Sequence, residues 1–246
     1  MGKTILVTGG SRGIGRATAL KAARLGWSVA VNYVRDADAA AEVVREAERA
    51  GVKAVAIQGD VAVEADVIRM FAQATEALGP LDGVVVNAGI VAPASKLQDM
   101  SVERLRRMFE VNVLGAYLCA REAARHLTKN AKGGSIVIVS SVAARLGSPG
   151  EYVDYAGSKG ATDSLALGLS KELGPDGVRV NAVRPGLIDT EIHASGGYAT
   201  RALDLGSKMP LGRAGTAEEV AEAVIWLLSD ASSYVTGSFI DVAGGR

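Results

Sequence analysis

Short runs of apolar residues, rich in Val and Ile, alternate with longer Ala-rich segments along most of the chain. The short runs are continuously apolar, which is typical of strands buried on both faces of a parallel sheet. They predict seven strands, at 4–9, 28–33, 53–58, 82–89, 135–141, 178–186 and 238–245. The segments between them predict helices at about 14–26, 37–50, 64–78, 102–129, 153–173 and 217–229.

This alternation predicts a doubly wound α/β fold of the Rossmann type, in which a parallel seven-stranded sheet carries helices on both faces. No linker, repeat or low-complexity stretch divides the chain, so residues 1–246 are predicted to form one domain. Thr216 and Glu219 form a capping-box pattern at the start of the last helix. The segment 187–213 breaks the alternation, and it is either a lid over a functional site or a variable surface insertion.

The composition argues against several kinds of partner and site. With 48% hydrophobic and 22% charged residues, the chain has an ordinary globular composition. Its 27 basic and 27 acidic residues balance, so nothing indicates a nucleic-acid partner or an anionic membrane surface. Cys119 is the only cysteine, which excludes an internal disulfide and a cysteine-based metal site, and no metal is predicted.

Neither a membrane-spanning helix nor a signal peptide is predicted. No apolar run approaches the ~20 residues that a membrane-spanning helix needs. Strand-like sequence begins at Lys3 and leaves no room for a signal peptide. We therefore expect a cytoplasmic protein without a membrane partner.

A glycine-rich stretch, "LVTGGSRGIGRATA", follows the first strand and opens the first helix. Glycines in such a turn let phosphate groups approach the backbone N–H groups at a helix N-terminus. A Walker A loop is excluded, because Arg16 and Ala17 stand where it needs Lys and Ser or Thr. The spacing also departs from G-x-G-x-x-G, so a merely tight turn remains an alternative. The candidate dinucleotide contacts here are Gly9, Ser11, Arg12, Gly13, Ile14 and Gly15.

The end of the second strand bears on the choice of dinucleotide. An acidic residue there would hold the adenosine ribose of NAD, but this strand ends in Asn32 and Tyr33, which are candidate cofactor contacts at this position. Arg35 follows, and together with Arg12 it could bind a ribose 2′-phosphate. The charges therefore favour NADP(H) over NAD(H). In the alternative, both arginines are solvated and Asp36 or Asp38 binds the ribose.

Further motifs follow in a fixed order along the chain, namely Asp60-Val61, Asn87-Ala88-Gly89, Asn112, Ser141, Tyr155-x-x-x-Lys159 and Pro185-Gly186. Together with the glycine-rich stretch, they make the whole chain resemble the short-chain dehydrogenase/reductase family. The resemblance is strongest to the branch that contains 3-oxoacyl-carrier-protein reductases and glucose dehydrogenases. No single motif carries this resemblance; their joint order and spacing does.

The resemblance implies a role for each of these residues. Tyr155 would be the general acid/base, Ser141 would bind the substrate oxygen, Lys159 would also bind the nicotinamide ribose, and Asn112 would hold a water in a proton relay. The cofactor would be contacted by Asp60, Val61, Asn87, Ala88, Gly89, Pro185, Gly186, Ile188 and Thr190, in addition to Tyr155 and Lys159. The resemblance also implies a homo-oligomer, either a dimer or a homotetramer, and a small carbonyl or alcohol substrate.

Elementary electrostatics agrees with the role of the Tyr155–Lys159 pair. Residues at i and i+4 are neighbours on a helix. An ammonium ~4 Å from a phenolate, at an effective dielectric of ~20, attracts it by ~4 kcal/mol. This corresponds to about three pKa units before burial offsets part of it, so we expect Lys159 to lower the pKa of Tyr155. Tyr152 lies close by but has no lysine four residues on.

The sequence predicts an oxidoreductase that interconverts a carbonyl and a secondary alcohol, and leaves its substrate open among 3-oxoacyl thioesters, sugars and small ketones. A non-catalytic NADP-binding sensor or scaffold protein is the alternative. Arg104, Arg106 and Arg107 could dock a carrier protein or could be plain solvated charges. His193 could touch substrate. Four residues of the long predicted helix belong either to the core or to a subunit contact, namely Met108, Phe109, Leu114 and Tyr117.

Overall fold

The computed structural model describes residues 2–246. Its central sheet contains seven parallel strands in the order β3-β2-β1-β4-β5-β6-β9. These strands are β1 (Thr4–Val7), β2 (Ser28–Tyr33), β3 (Ala54–Gln58), β4 (Gly83–Val86), β5 (Gly134–Val139), β6 (Val178–Pro185) and β9 (Phe239–Val242). The predicted doubly wound fold with seven strands is therefore confirmed. Two short strands, β7 (Ile188–Asp189) and β8 (Gly215–Thr216), pair separately.

Helices cover both faces of this sheet. They are α1 (Gly13–Arg24), α2 (Ala37–Arg49), α3 (Glu64–Leu78), α4 (Val102–Phe109), α5 (Gly115–Leu127), α6 (Ala143–Leu146), α7 (Val153–Glu172), α8 (Ile192–Ser195), α9 (Arg201–Gly206) and α10 (Ala217–Leu228). Thr216 and Glu219 form the predicted capping box of α10. Within residues 2–246, no helix is both long and apolar enough to cross a membrane.

The strands are apolar throughout because each face of the sheet has its own core. Along β1, Leu6 packs with Phe71 and Ile136 on one face. Its neighbours Ile5 and Val7 pack with residues of α1 and α10 on the other face. Successive side chains of a strand point to opposite faces, so a continuous apolar run fills both cores at once.

One predicted helix needs correction. The segment 102–129 is not a regular α-helix, because a π-helical turn (Glu110–Leu114) separates α4 from α5. The turn contains Asn112, one of the predicted site residues, and π turns inside helices are frequent at functional sites. The sequence did not reveal this turn because the inserted residue leaves the apolar pattern on either side intact.

The topology determines where a ligand can bind. From β1 the chain moves outward to β2 and β3, and it then returns to β4 on the other side of β1. The loops that follow β1 and β4 therefore diverge at the carboxyl edge of the sheet. In open parallel sheets this switch point is where ligands bind.

Candidate active site

Two loops meet at the switch point and are held together by hydrogen bonds. The hydroxyl of Thr8 accepts from the backbone N–H groups of Asn87 and Ala88, at 2.9 and 3.0 Å. In return, the side-chain amide of Asn87 donates to the carbonyls of Thr8 and Gly9, at 2.8 and 3.1 Å. Asn87 thus fixes the loop after β1 to the loop after β4.

The glycine-rich loop after β1 is built for a close approach of backbone to ligand. Gly9 and Gly13 adopt positive φ angles of 61° and 52°, which favour glycine. A Cβ on Gly15 would lie 2.3 Å from the carbonyl oxygen of Gly9, so no side chain fits there. The loop opens directly into α1, whose first N–H groups are available to an anion. These features fit the phosphates of a dinucleotide.

Asn32 requires a correction, because it does not face a ligand. Its side chain is fully buried. Its amide oxygen accepts from the N–H of Gly9 at 3.0 Å, and its amide nitrogen donates to the carbonyl of Gly59 at 2.9 Å. The predicted ribose contact is therefore wrong for this side chain. Asn32 instead fastens the glycine-rich loop to the loop after β3.

Two positive charges lie near the adenosine end of the predicted site without partners in the protein. Arg12 and Arg35 are exposed, and within residues 2–246 neither makes a salt bridge or a side-chain hydrogen bond. Asp36 is occupied, because its carboxylate caps α2 by accepting from the N–H of Ala39 at 2.9 Å. Tyr33 is half-buried at the end of β2. No carboxylate ends this strand, and the alternative ribose ligand that stays open is Asp38, which is exposed in the first turn of α2.

The Asp60-Val61 pair lies in the loop after β3. One carboxylate oxygen of Asp60 accepts from the N–H of Ala62, and the other pairs with Arg107 at 3.0 Å. Val61 is buried in the core.

Arg104 pairs through its guanidinium with the buried carboxylate of Asp154, at 2.8 and 3.2 Å. Arg104 is therefore not free for a docking patch, whereas Arg107 keeps about half of its side chain exposed and its docking role stays a prediction.

The predicted catalytic side chains converge at the carboxyl ends of β4 and β5. Tyr155 and Lys159 lie one turn apart on α7, and the ammonium of Lys159 is 5.7 Å from the centre of the Tyr155 ring. The Lys159 ammonium donates to the carbonyl of Val139 at 2.7 Å, which anchors it to the end of β5. Ser140 turns its hydroxyl towards the carbonyl of Lys159, at 3.3 Å. Both serines line the cavity, but the Ser141 side chain hydrogen-bonds that of Tyr155, which favours Ser141 as the substrate-facing serine.

Asn112 holds the loop after β4 next to Lys159. Its amide oxygen accepts from the N–H of Ile90 at 2.8 Å, and its amide nitrogen donates to the carbonyl of Ile90 at 2.9 Å and to Ser158 at 3.1 Å. Gly89 lies between Asn112 and Lys159, since a Cβ on Gly89 would lie 3.3 Å from the amide oxygen of Asn112 and 3.6 Å from the Lys159 ammonium. A role for Asn112 in a water relay stays a prediction.

The electrostatics of the Tyr155–Lys159 pair differs from our expectation. Burial raises the pKa of Tyr155 above its ordinary value, and the neighbouring Ser141 hydroxyl opposes this shift only in part. Burial also lowers the pKa of Lys159 to about 8, against a rise caused by Asp163. The pKa of Tyr155 is therefore not brought below its ordinary value, contrary to our expectation from the Lys159 ammonium. Desolvation of both groups outweighs their interaction, because the ammonium is bonded to Val139 and not to the phenol.

A cavity of ≈ 170 Å³ joins these groups, several times the space that one water molecule needs. Its cofactor side is lined by predicted residues, namely Ile14, Asn87, Gly89, Pro185, Gly186, Ile188 and Thr190. Its other side is lined by residues that sequence reasoning missed, including Val91, Leu146, Ser148, Ile192 and Arg201. Tyr152, which lacks a lysine four residues on, also lines the cavity. The sequence signal for Arg201 is its position in the irregular segment 187–213, and its burial could not be read from the sequence.

The segment 187–213 contributes to the lining of the cavity. It contains β7, α8 and α9, and it reaches the glycine-rich loop, since a Cβ on Gly13 would lie 3.5 Å from Thr190. The imidazole of His193 bonds the carbonyl of Ile188 at 2.7 Å, and burial lowers the pKa of His193. These contacts favour a lid over a surface insertion. No cluster of His, Cys, Asp or Glu suited to a metal occurs within residues 2–246.

Comparison with known proteins agrees with this geometry. A family model described as enoyl-(acyl carrier protein) reductase matches residues 9–246. An uncharacterized oxidoreductase of Escherichia coli, YgfF, is 54% identical over 243 residues, which is 98% of each chain. The L-rhamnose 1-dehydrogenase (NAD(P)(+)) of a Sphingomonas species is 41% identical over 99% of this chain and 96% of its own.

A solved structure of a short-chain dehydrogenase from Burkholderia cenocepacia, in complex with NADP, superposes with a TM-score of 0.92. It is 36% identical and covers 100% of this chain and 98% of its own.

Replacing the buried lysine should change how stability depends on pH. In the unfolded chain Lys159 keeps its proton up to its ordinary pKa of 10.5, whereas in the folded protein its pKa is about 8. Between these values the unfolded state binds more protons, so the wild type gains stability with rising pH and Lys159→Met lacks this gain. From pH 8 to 9.5 the wild type should gain about 2 kcal/mol relative to the variant in urea denaturation.

Lys171→Met is the matched control, because Lys171 is exposed on the same helix. It should show no pH-dependent difference from the wild type. Parallel stability curves for the wild type and Lys159→Met would contradict the lowered pKa.

Proposed function

The chain belongs to the short-chain dehydrogenase/reductase family, and we propose that it is an NADP(H)-dependent oxidoreductase that interconverts a carbonyl and a secondary alcohol. The observation that carries the proposal is the convergence of Ser141, Tyr155 and Lys159 on one cavity beside the glycine-rich loop. The substrate is a 3-oxoacyl thioester, a sugar or a small ketone. The cytoplasmic location and the single-domain organisation stay predictions.

The residues present fit a dinucleotide along the carboxyl edge of the sheet. The glycine-rich loop and the N-terminus of α1 would hold its phosphates, since Gly9, Gly13 and Gly15 leave the backbone open. Pro185, Gly186, Ile188 and Thr190 would hold the nicotinamide end. When bound, the nicotinamide supplies the hydride in reduction and accepts it in oxidation.

The chain's own residues handle the proton and the oxygen. The raised pKa of Tyr155 keeps its phenol protonated at neutral pH, so it can donate a proton to a carbonyl oxygen that becomes an alkoxide. Ser141 would donate a hydrogen bond to the same oxygen and polarise the carbonyl. Lys159, anchored by Val139, would stabilise the phenolate that remains. Reduction requires the protonated form of Tyr155, and reduction is the direction we expect with NADPH.

Tyr155→Phe tests this mechanism. Losing the proton donor should lower kcat for carbonyl reduction by about 10²–10⁴-fold, while NADPH binding is retained. The measurement is NADPH consumption over a panel that includes an acetoacetyl thioester, small diketones and, in reverse with NADP⁺, glucose and rhamnose. NADPH binding is followed by its fluorescence in the same samples.

Tyr234→Phe is the matched control, because Tyr234 is fully exposed and lies outside the cavity. It should change kcat by no more than a few-fold. Full turnover by Tyr155→Phe would remove Tyr155 from the mechanism. NADPH binding without turnover of any panel compound in the wild type would favour the alternative, a non-catalytic NADP-binding sensor or scaffold.

The preference for NADP(H) is supported by the charges at the end of β2. Arg12 and Arg35 are exposed and make no ion pair within residues 2–246, and Asp36 is engaged in capping α2. An unpaired guanidinium binds a phosphate dianion well, whereas a free carboxylate would repel it. The name of the Sphingomonas relative includes both cofactors, so the preference must be measured.

The double variant Arg12→Ala/Arg35→Ala tests the preference. Losing the two phosphate contacts should raise the KM for NADPH at least tenfold and leave the KM for NADH within about twofold. Arg45→Ala, which removes an exposed arginine of α2 paired with Glu42, serves as control. An equal loss with both cofactors, or a wild type that uses NADH as well as NADPH, would overturn the preference.

A homodimer or homotetramer is supported by an exposed apolar face. Phe109, Leu114 and Tyr117 follow α4 into α5, and each leaves more than two fifths of its surface exposed. Leu167 of the neighbouring α7 is exposed to the same extent. Contiguous apolar patches of this kind usually mark a contact with another protein, and we propose that a second copy of the chain covers it.

Sedimentation of the wild type should give a multiple of the chain mass of 25.3 kDa. Leu114→Glu places a charge on the proposed contact and should shift the protein towards the monomer. Leu25→Glu alters an equally exposed leucine at the end of α1 and should not. A monomeric wild type, or equal effects of the two variants, would contradict the assignment.

A further inference from the structure

A buried arginine faces the cavity from the side opposite the cofactor loop. Arg201 begins α9 in the lid segment, and only 9% of its surface is exposed. Its guanidinium packs over the rings of Tyr152 and Tyr198, at 5.1 and 5.8 Å from their centres. Arg201 lines the same cavity as Ser141 and Tyr155. The carbonyl chemistry proposed above does not use it.

Its polar contacts leave part of the guanidinium available. One nitrogen donates to the carboxylate of Glu151 at 2.7 Å, and another lies 3.4 Å from the hydroxyl of Tyr152. Glu151 lies outside the cavity, and nearly half of its side chain is exposed. A guanidinium has five N–H groups, so these two contacts leave donors for a ligand.

The charges around the cavity determine which ligand suits it. Within residues 2–246, no Asp or Glu lines the cavity, whereas Lys159, Arg201, His193 and Arg246 do. A neutral sugar needs acceptors for its hydroxyl protons, and such sites ordinarily include carboxylates. A cavity with basic groups and no acidic one suits an anionic oxygen group instead.

We propose that Arg201 binds a carboxylate of the substrate, at the end of the molecule away from the reacting carbonyl. The inference rests on the proposed oxidoreductase function and names its substrate class as small oxo acids and the corresponding hydroxy acids. Glu151 competes for the same guanidinium from outside the cavity, so it weakens the binding of this carboxylate. Arg201 therefore contributes specificity and takes no part in hydride or proton transfer.

The test compares matched substrates that differ only in charge. NADPH consumption is measured with 2-, 3-, 4- and 5-oxo acids and with the methyl ester of each. The wild type should prefer the acid over its ester in kcat/KM at the chain length that spans Tyr155 and Arg201. Glucose and rhamnose with NADP⁺ form the neutral sugar arm.

Two variants act in opposite directions if the proposal holds. Arg201→Met keeps the side-chain volume but removes the charge, and it should lower kcat/KM for the preferred acid about 10- to 100-fold while the ester changes less than threefold. Glu151→Gln frees the guanidinium and should lower the KM for the acid. If Arg201 only fastens α9 to the loop before α7, both variants should lower kcat/KM, and by the same factor for the acid and the ester.

Arg45→Met is the control for a lost exposed ion pair remote from the cavity. Arg201→Lys retains a charge and covers the case in which Arg201→Met does not fold, and it should keep a preference for the acid. Turnover of esters or sugars without any preference for acids would overturn the role of Arg201 and leave the oxidoreductase function standing. Absence of turnover with every compound would overturn both.

Discussion

The close contact between the loops after β1 and β4 is the constraint on which the site depends. The side chains of Thr8 and Asn87 make four hydrogen bonds between the two loops and draw them together where the strand order diverges. The contact is so tight that Gly15 has no room for a Cβ against the carbonyl of Gly9. The backbone N–H groups at the start of α1 therefore stay uncovered. Asn32 holds the same loop from the other side, so the phosphate cradle is set by buried amides.

Burial is the second physical feature that organises the site. Tyr155 and Lys159 are withdrawn from water, and each is shifted towards its neutral form. A neutral phenol is a proton donor at neutral pH, and a lysine with a pKa of about 8 can change charge near physiological pH. The anchoring of Lys159 on Val139 keeps its ammonium near the phenol without direct contact. The charge of a bound cofactor or substrate would act on two groups whose pKa values burial has already moved from their ordinary values.

The lid segment, residues 187–213, contributes residues to the cavity lining that the family motifs do not include. Its strand β7 pairs with β8, which follows the segment, and its α9 places Arg201 in the lining of the cavity. In the proposed function, the glycine-rich loop, Ser141, Tyr155 and Lys159 determine the class of reaction. The lid and the loop before α7 determine which molecule reaches them, so substrate inference has to start from residues such as Arg201 and Tyr152.

The sequence by itself determined the fold and most of the site. Continuous apolar runs require a sheet buried on both faces, and the carboxyl ends of parallel strands meet at one edge, which brings Gly9, Ser141 and Tyr155 together. Tertiary structure alone decided what depends on side-chain partners. It buried Asn32, paired Arg104 with Asp154, raised the pKa of Tyr155 and turned Arg201 into the cavity. Periodicity records which face of an element is apolar, whereas hydrogen-bond partners and desolvation depend on residues distant in the chain.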